Sequence, residues 1–491
     1  MSQLKSIRFN VPENGWNTDD ARRELGANYT PDVTNCFFEN KSELKRRPCQ
    51  SPHIVAAPDG TAVDHMFEHK SITGTSKLFV HTAGGNIYED VAGVWTLRDT
   101  TFTGRIRTAM MGNLLIVGDG VNPAKKFNGT AWSVITTYPV APFSTYIGNI
   151  FHVHKGRMYA AGDPARGMDL VISSTIGGTG TGADYWSTVA AGGDQGQFLD
   201  TTDDISSGDT ITGITTHLGR LVVFFRKHIV FYDVTESGGY AASVFKVVEG
   251  EGCVSHDTIQ GIGDDVIFLS PTGYKSLQQV LVQGDSGVKS TSIPINTHVT
   301  QLLRTTTVVA DIRSCYIPKF GTYLCHMGTE IHVFQTGLKA WMKWSTLPRV
   351  LFVDAAGIAY TAGTTVQTLS DTVFADTVGA AAAVAVTMSL DLASVRVADQ
   401  EIKPRWIWAE IICECDADET VTYSYYPDND QTQIINETLV LNAGAVGRAI
   451  NDYRFPVIGR SEMFGSRIAN ANQTDFRLTA VEVYYTAGGF R

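Results

Sequence analysis

His152 and His154 flank Val153 and would project from one face of a strand. Strand-borne metal sites use this spacing, but they need a third ligand from elsewhere in the chain. Polar-out alternation explains the pair equally well. His65 and His69 lie four apart, which suits a helix, yet the residues around them read as strand. Carboxylates gather at Asp200, Asp203, Asp204 and Asp209, and again at Asp428 and Asp430. A calcium loop sets its oxygens at alternate positions, with a glycine for the sharp turn and a closing acid. That pattern is absent, and Asp and Ser ahead of a strand commonly build turns. Cys413 and Cys415 share a face of an expected strand, and no further ligand follows at short spacing. The expectation is no metal, and cysteines that are reduced and packed, as in a chain made in a cytoplasm. Lys45-Arg46-Arg47, with Lys41 nearby, is the tight basic group of the chain. A solvated turn is its default reading; contact with phosphate or an acidic partner is the functional one.

Enzymatic motifs are missing. There is no Gly-x-Ser-x-Gly elbow and no phosphate-binding glycine loop with its lysine; the run Gly177-Gly178-Thr179-Gly180-Thr181-Gly182 reads as a flexible loop on one rim. Sialidase-like propellers carry a Ser-x-Asp-x-Gly-x-x-Trp turn and gather several arginines. The turns Gly93-Val94-Trp95 and Thr130-Ala131-Trp132 lack that acidic box. A glycosidase needs two carboxylates about 5–10 Å apart, and among many acids none stands out. The chain is therefore expected to be no enzyme and to use no cofactor. A carbohydrate-active propeller enzyme, such as a depolymerase or glycosidase, is the alternative.

The elements that would have to position any site are strands. A small turn of Gly, Asn or Asp leads into four or five apolar residues, a second turn and a second strand, and this phrase returns about seven times. The clearest copy is Gly219-Arg220-Leu221-Val222-Val223-Phe224-Phe225 followed by His228-Ile229-Val230-Phe231-Tyr232. Other copies begin near Lys77, Asn113, Arg157, Asp265, Thr322 and Val350. Short-strand repeats of this kind mark a propeller or stacked array, because one such sheet cannot bury its own faces. Residues 1–60 read as an irregular N-terminal arm, 61–375 as a β-propeller of about seven blades, 376–399 as a linker and 400–491 as a separate C-terminal β-sandwich. Asn296–Leu303 could form a short helix. The fold class is all-β.

Composition fits. The chain has 491 residues, 18% of them charged, below the roughly 25% usual for soluble domains. A surface that is polar but uncharged suits large contacts with other chains. The formal net charge of −11 argues against gripping nucleic acid, which needs a clustered basic surface, but allows DNA to slide past. No run of about 18 apolar residues predicts a membrane span, and no signal core opens the chain.

Three passages, taken in order, resemble the tail nozzle or tail-tube proteins of short-tailed bacteriophages. The first is Asn14-Gly15-Trp16-Asn17-Thr18-Asp19-Asp20, running on through Asn35-Cys36-Phe37-Phe38 to Leu44-Lys45-Arg46-Arg47-Pro48. Asp19 stands where a basic residue is frequent in that family, and Cys49 where glycine is common. The second runs from Asp203-Asp204 through Ile211–Ile214 and Gly219–Phe224 to Gly252–Ile259, Asp264–Ser270 and Gly273–Leu277. The third holds Gly459-Arg460, Gly465-Ser466-Arg467 and the close Gly488-Gly489-Phe490-Arg491. The resemblance implies a propeller with added β-domains, assembled as a homo-hexamer ring below portal and adaptor rings. It implies a virion tail location, genome DNA passing through the lumen, and attachment of tail fibres or spikes. It brings no catalytic triad. Trp16, Asn17, Lys45, Arg46, Arg47 and Pro48 are the assembly residues it suggests.

Overall fold

The structure, a computed structural model, describes residues 4–22, 24–136, 147–165, 167, 169–173, 196–205, 208–235, 240–278, 291–305, 311–345, 347–396, 403–416, 418–428, 430, 434–441 and 449–486. The expected rim loop at 177–182 and the closing Gly488–Arg491 lie outside these residues.

The molecule is nearly all β, built largely of small antiparallel sheets. Each repeated phrase folds on its immediate neighbours in sequence. Sheet I holds Val63–Lys70, Ser76–Thr82, Ile87–Val91 and Val94–Asp99; sheet II holds Arg107–Met111, Leu114–Gly118, Lys125–Phe127 and Trp132–Val134. Sheet III holds Ile150–His154, Arg157–Ala161, Asp169–Ile172 and Gln197–Asp200; sheet IV holds Ile211–His217, Arg220–Phe225, His228–Thr235 and Ala241–Glu249. Sheet V has Gln260–Ile262, Asp265–Ser270 and Gly273–Ser276, and sheet VI begins with Arg313–Ile317, Thr322–His326, Ile331–Gln335 and Ala340–Trp344. Sheet VII joins Val350–Val353, Ala359–Ala362 and Val366–Ser370 to Cys49–Ile54 from the start of the chain. First strands of successive sheets lie beside one another, except that Ile211–His217 of sheet IV meets the turn His256–Thr258 ahead of sheet V; Val350–Val353 of sheet VII lies beside Val63–Lys70 of sheet I, so the succession returns on itself.

Local chemistry explains the hairpins. Ala92-Gly93, Lys155-Gly156 and Leu218-Gly219 each place two successive residues at positive φ, as a two-residue turn matched to the twist of its strands requires. Packing on two sides explains the apolar runs. Leu221, Val223 and Phe225 join a core shared with sheet III, while Val222 and Phe224 join one shared with sheet V. Sheet IV is covered on both faces, so this strand is apolar throughout rather than alternating.

Sheet VI does not end at Trp344. The two-residue strand Val33–Thr34 pairs parallel to Ala340–Trp344, and Met388–Arg396, Met463–Asn470, Glu419–Pro427 and Ile435–Leu441 extend the sheet to nine strands. A six-stranded sheet faces this extension. It runs Cys36–Asn40, Glu43–Arg46, Phe476–Thr486, Arg405–Cys415 and Ala449–Arg460, with Leu4–Asn10 also paired to Phe476–Thr486. Phe38, Leu44, Ile411 and Leu478 from one sheet share a hydrophobic core with Leu390, Tyr423 and Ile468 from the other.

Three sequence expectations are corrected here. Residues 1–60 are not an irregular arm, because strands within them complete three sheets. The expected linker 376–399 contains Met388–Arg396, an interior strand. It was hidden by Asp391, which is buried against the guanidinium groups of Arg22 and Arg467. The C-terminal sheets are not a separate unit, since one is continuous with sheet VI and both recruit N-terminal strands. The short helix is present as α1, Asn296–Thr305. No helix among the described residues is long and apolar enough to cross a membrane.

Candidate functional site

The first strands of sheets I, II, VI and VII, with the 3-10 turn His256–Thr258 ahead of sheet V, converge on a cavity of about 630 Å³. His65, Arg107, His256, Asp257 and Arg313 lie in its wall. Asp257 is its electrostatic centre. Its carboxylate accepts from Arg107 Nε at 2.9 and 3.0 Å, from Arg107 Nη2 at 2.6 Å, and pairs with Arg105 Nη2 at 2.9 Å. Burial alone would raise its pKa, but the Arg107 and Arg105 charges hold the carboxyl well below the usual carboxylate range. Asp64 behaves likewise: burial opposes ionisation, and Arg313 at 2.9 Å with Arg349 at 3.1 Å lowers its pKa. Arg349 also reaches Asp311 at 2.9 Å.

The imidazoles around this centre are neutral at pH 7. Burial, helped by the nearby Arg313 charge, pushes His65 down to about 3. Burial and then Arg107 push His256 down to about 4. His152 is pushed down to about 3 by burial and then by His256. This is an environment of locked ion pairs. Asp257, already gripped by two guanidinium groups, is a poor proton donor, so a general-acid role at this carboxylate is disfavoured.

The His152–His154 pair does share a face, and both rings meet one hydroxyl, Thr216 Oγ1, at 2.7 and 2.9 Å. His69 Nε2 bonds the Asn113 carbonyl at 2.9 Å, away from His65. The acids at 200–209 build turns and pairs: Asp200 accepts from Thr202 N at 2.9 Å, Asp204 from the Tyr232 hydroxyl at 2.5 Å, and Asp209 meets His228 Nδ1 at 3.1 Å. Asp428 accepts from the Glu462 and Met463 amides at 2.6 and 3.1 Å. Cys413 and Cys415 are buried on one face of their strand, and all seven cysteines are buried.

The suggested assembly residues turn inward. Trp16 is 2% exposed; its amide donates to Trp341 O at 2.8 Å and its indole to Pro31 O at 3.2 Å. Gly15 permits this approach: its φ is +71°, and a Cβ there would sit 2.4 Å from Trp341 O. Asn17 Oδ1 accepts from the Asp19 and Asp20 amides at 3.0 and 3.1 Å. Lys45 pairs with Glu39 and lies over the Phe37 ring. Arg46 donates to the carbonyls of Phe374 and Thr474 at 3.1 and 3.2 Å and to Asn470. Arg47 donates to Asn35 Oδ1 at 3.2 Å, to Pro48 O at 2.9 Å and to the Asp376 carboxylate at 3.2 Å. Pro48 is buried beside it. The solvated-turn reading of Lys45-Arg46-Arg47 is thus overturned. Arg46 and Arg47 are desolvated bolts, because fitting the chain between sheets VI and VII creates orphan carbonyls and a buried carboxylate that only multi-donor cations satisfy.

Sequence reasoning missed two groupings. Asp257 lies 150 positions from Arg107, and no local spacing announces its grouping with Arg105 and Arg107. His298, Glu330 and His332 bring three ligand atoms within 4.8 Å of one another. The signal available was the alternation at Ile331-His332-Val333 and the short helix carrying His298.

No family model matches the chain, and no curated protein matches it. Among solved structures it is similar to the extracellular domain of a hybrid two-component system from B. thetaiotaomicron (9% identity, TM-score 0.41, covering 66% of this chain and 40% of that one). It is also similar to Chaetomium thermophilum Raptor (11% identity, TM-score 0.42, 66% and 30%). A third is an exo-beta-1,3-galactanase from Phanerochaete chrysosporium (8% identity, TM-score 0.26, 86% and 100%). The alignments span less than half the length of the first two chains. Likeness at this level assigns no activity.

Proposed function

We propose that this protein is a structural subunit of a short-tailed phage virion, forming the distal tail tube as a homo-hexamer ring. In this reading sheets I–VII are the blades of a seven-bladed propeller, closed by Cys49–Ile54, and the two large sheets form a β-sandwich fastened to one side. The head-to-tail adaptor meets the ring above, fibres or spikes attach outside, and genome DNA passes without specific binding. The observation that carries the reading is the run from Trp16 to Pro48. The residues that resemble the opening of the nozzle proteins are those that bolt the N-terminal strands across the propeller-like body and the C-terminal sheets, giving the stiffness a conduit needs. Two features support it. At the cavity Asp257 is committed to Arg105 and Arg107, and Arg313 to Asp64, as in a scaffold. Apolar side chains stand exposed on outer strands, among them Val94 and Leu97 of sheet I and Ile435 and Val440 of the extended sheet, as subunit contacts would require.

Electron microscopy and mass photometry of the purified protein test this. Six-fold rings with an open lumen are expected, and labelling of virions should fall at the tail tip. A protein that stays monomeric at high concentration and labels no virion would overturn the reading. The alternative, a carbohydrate-active enzyme, draws on the same cavity, where Asp257, Glu68 and Asp354 lie within one lining. Release of reducing sugar from host polysaccharide, lost in Asp257→Asn, would favour it.

A further inference from the structure

We propose that His298, Glu330 and His332 form a binding site for a divalent d-block cation, with zinc the expected occupant, independently of the tail-tube reading. The donor set is two imidazole nitrogens and one carboxylate oxygen, a combination that suits Zn²⁺. The donors come from separate elements: His298 from α1, His332 from the strand Ile331–Gln335, and Glu330 from the turn just before it. Their ligand atoms all lie within 4.8 Å of one another. His332 Nε2 is 2.8 Å from Glu330 Oε1, and His298 Nε2 bonds the same oxygen. Without a cation each imidazole holds that oxygen by an N–H. For a metal to take Nε2 of each ring, the ring proton shifts to Nδ1 so that the imidazole stays neutral, and the three donors spread to distances of about 2.0–2.2 Å from the ion.

The surroundings have the arrangement a metal site uses. The His332 side chain is fully buried, and its other nitrogen, Nδ1, lies 3.0 Å from the Tyr274 hydroxyl. Such an outer partner fixes the ring's orientation, and a hydroxyl oxygen can accept the Nδ1–H that a ring ligating through Nε2 carries. Glu330 and His298 keep 16% and 29% side-chain exposure, which leaves a solvent side for entry and for a water as fourth ligand. Trp16 packs edge-on to both rings, its centroid 5.0 Å from His298 and 5.8 Å from His332. A bound ion would therefore tie α1 to sheet VI directly under the N-terminal bolt.

That neighbour provides the readout. Full-length protein is stripped with chelator, dialysed against Zn²⁺ and assayed for retained metal and melting temperature. In parallel Cu²⁺ is titrated while tryptophan fluorescence is followed. One zinc per chain, a higher melting temperature, and quenching that is largely lost in Trp16→Phe are expected. His298→Ala, on the partly exposed side and tolerable to the fold, should abolish all three effects; Glu330→Gln should weaken zinc retention at least tenfold. Zinc retained equally by His298→Ala would place the ion on other ligands and overturn the site. So would wild-type protein that retains none, leaving the trio a hydrogen-bonded clasp.

Discussion

Arg47 shows how far a residue's role can depart from its local look. In sequence it ends a basic cluster; in the fold its side chain is fully buried against Asp376. Burying the pair costs solvation that the ion pair and surrounding acceptors offset, and removing one partner leaves the other charged and stranded. Arg47→Met should therefore cost on the order of 3–5 kcal/mol in urea unfolding. Arg47→Met with Asp376→Leu should recover much of that loss; a single variant as stable as wild type would refute the ion pair's structural role. The neutral imidazoles give a pH dependence of definite sign. His65, His152 and His256 hold folded pKa values of about 3, 3 and 4 against an ordinary 6.5. As pH falls through 6.5 the unfolded chain takes up protons that the folded chain refuses, so stability is full above that pH and drops below it. Between about pH 7.5 and 5 the loss is at most roughly 2 kcal/mol for each imidazole. Denaturant midpoints across that range should fall with acidity, and His65→Gln should flatten the slope. None of this was legible in the chain order, because the burial and the arginines that create these states come from distant strands.

At the scale of elements the sequence spoke clearly where a strand makes its own environment. The apolar runs and X-Gly turns of sheets I to VI announce hairpins, since partner and turn lie within a few residues of each other. It spoke poorly where a strand borrows its partner. Cys49–Ile54 contains Pro52 and looks irregular, but it is the last strand of sheet VII, pairing antiparallel with Val366–Ser370, and an edge tolerates proline. Met388–Arg396 looks like a linker because its central Asp391 is polar; only Arg22 and Arg467, far off in sequence, make it a core residue. An irregular arm would be dispensable to the monomer fold; strands that complete three sheets are not. Deleting residues 1–60 uncovers Val366–Ser370, orphans Asp376 and strips Phe9 and Phe38 from the main core. The truncated chain should be insoluble or lack near-ultraviolet circular dichroism; a soluble monomer with native tertiary signals would show that the arm merely decorates the fold.

For the whole molecule, the question is what would make copies of such a body close into a ring. A ring needs two different, complementary patches on each subunit, repeated by a rotation that closes, and a stable patch buries upward of about 1,000 Å². Ile435–Leu441 is the end strand of the nine-stranded sheet, with Ile435 37% and Val440 57% exposed. Its outer edge has no partner strand among the described residues, and such an edge is a template for pairing with another chain unless charge or proline blunts it. Lysine at both positions should leave the monomer's stability within about 0.5 kcal/mol, since neither side chain belongs to the hydrophobic core, yet should remove the proposed ring. Mass photometry would then report monomers for Ile435→Lys with Val440→Lys and hexamers for wild type, at matched melting temperatures. Intact rings in the double variant would move the subunit contact elsewhere, the outer strand Val94–Asp99 of sheet I, with Val94 64% and Leu97 49% exposed, being the other apolar edge to test.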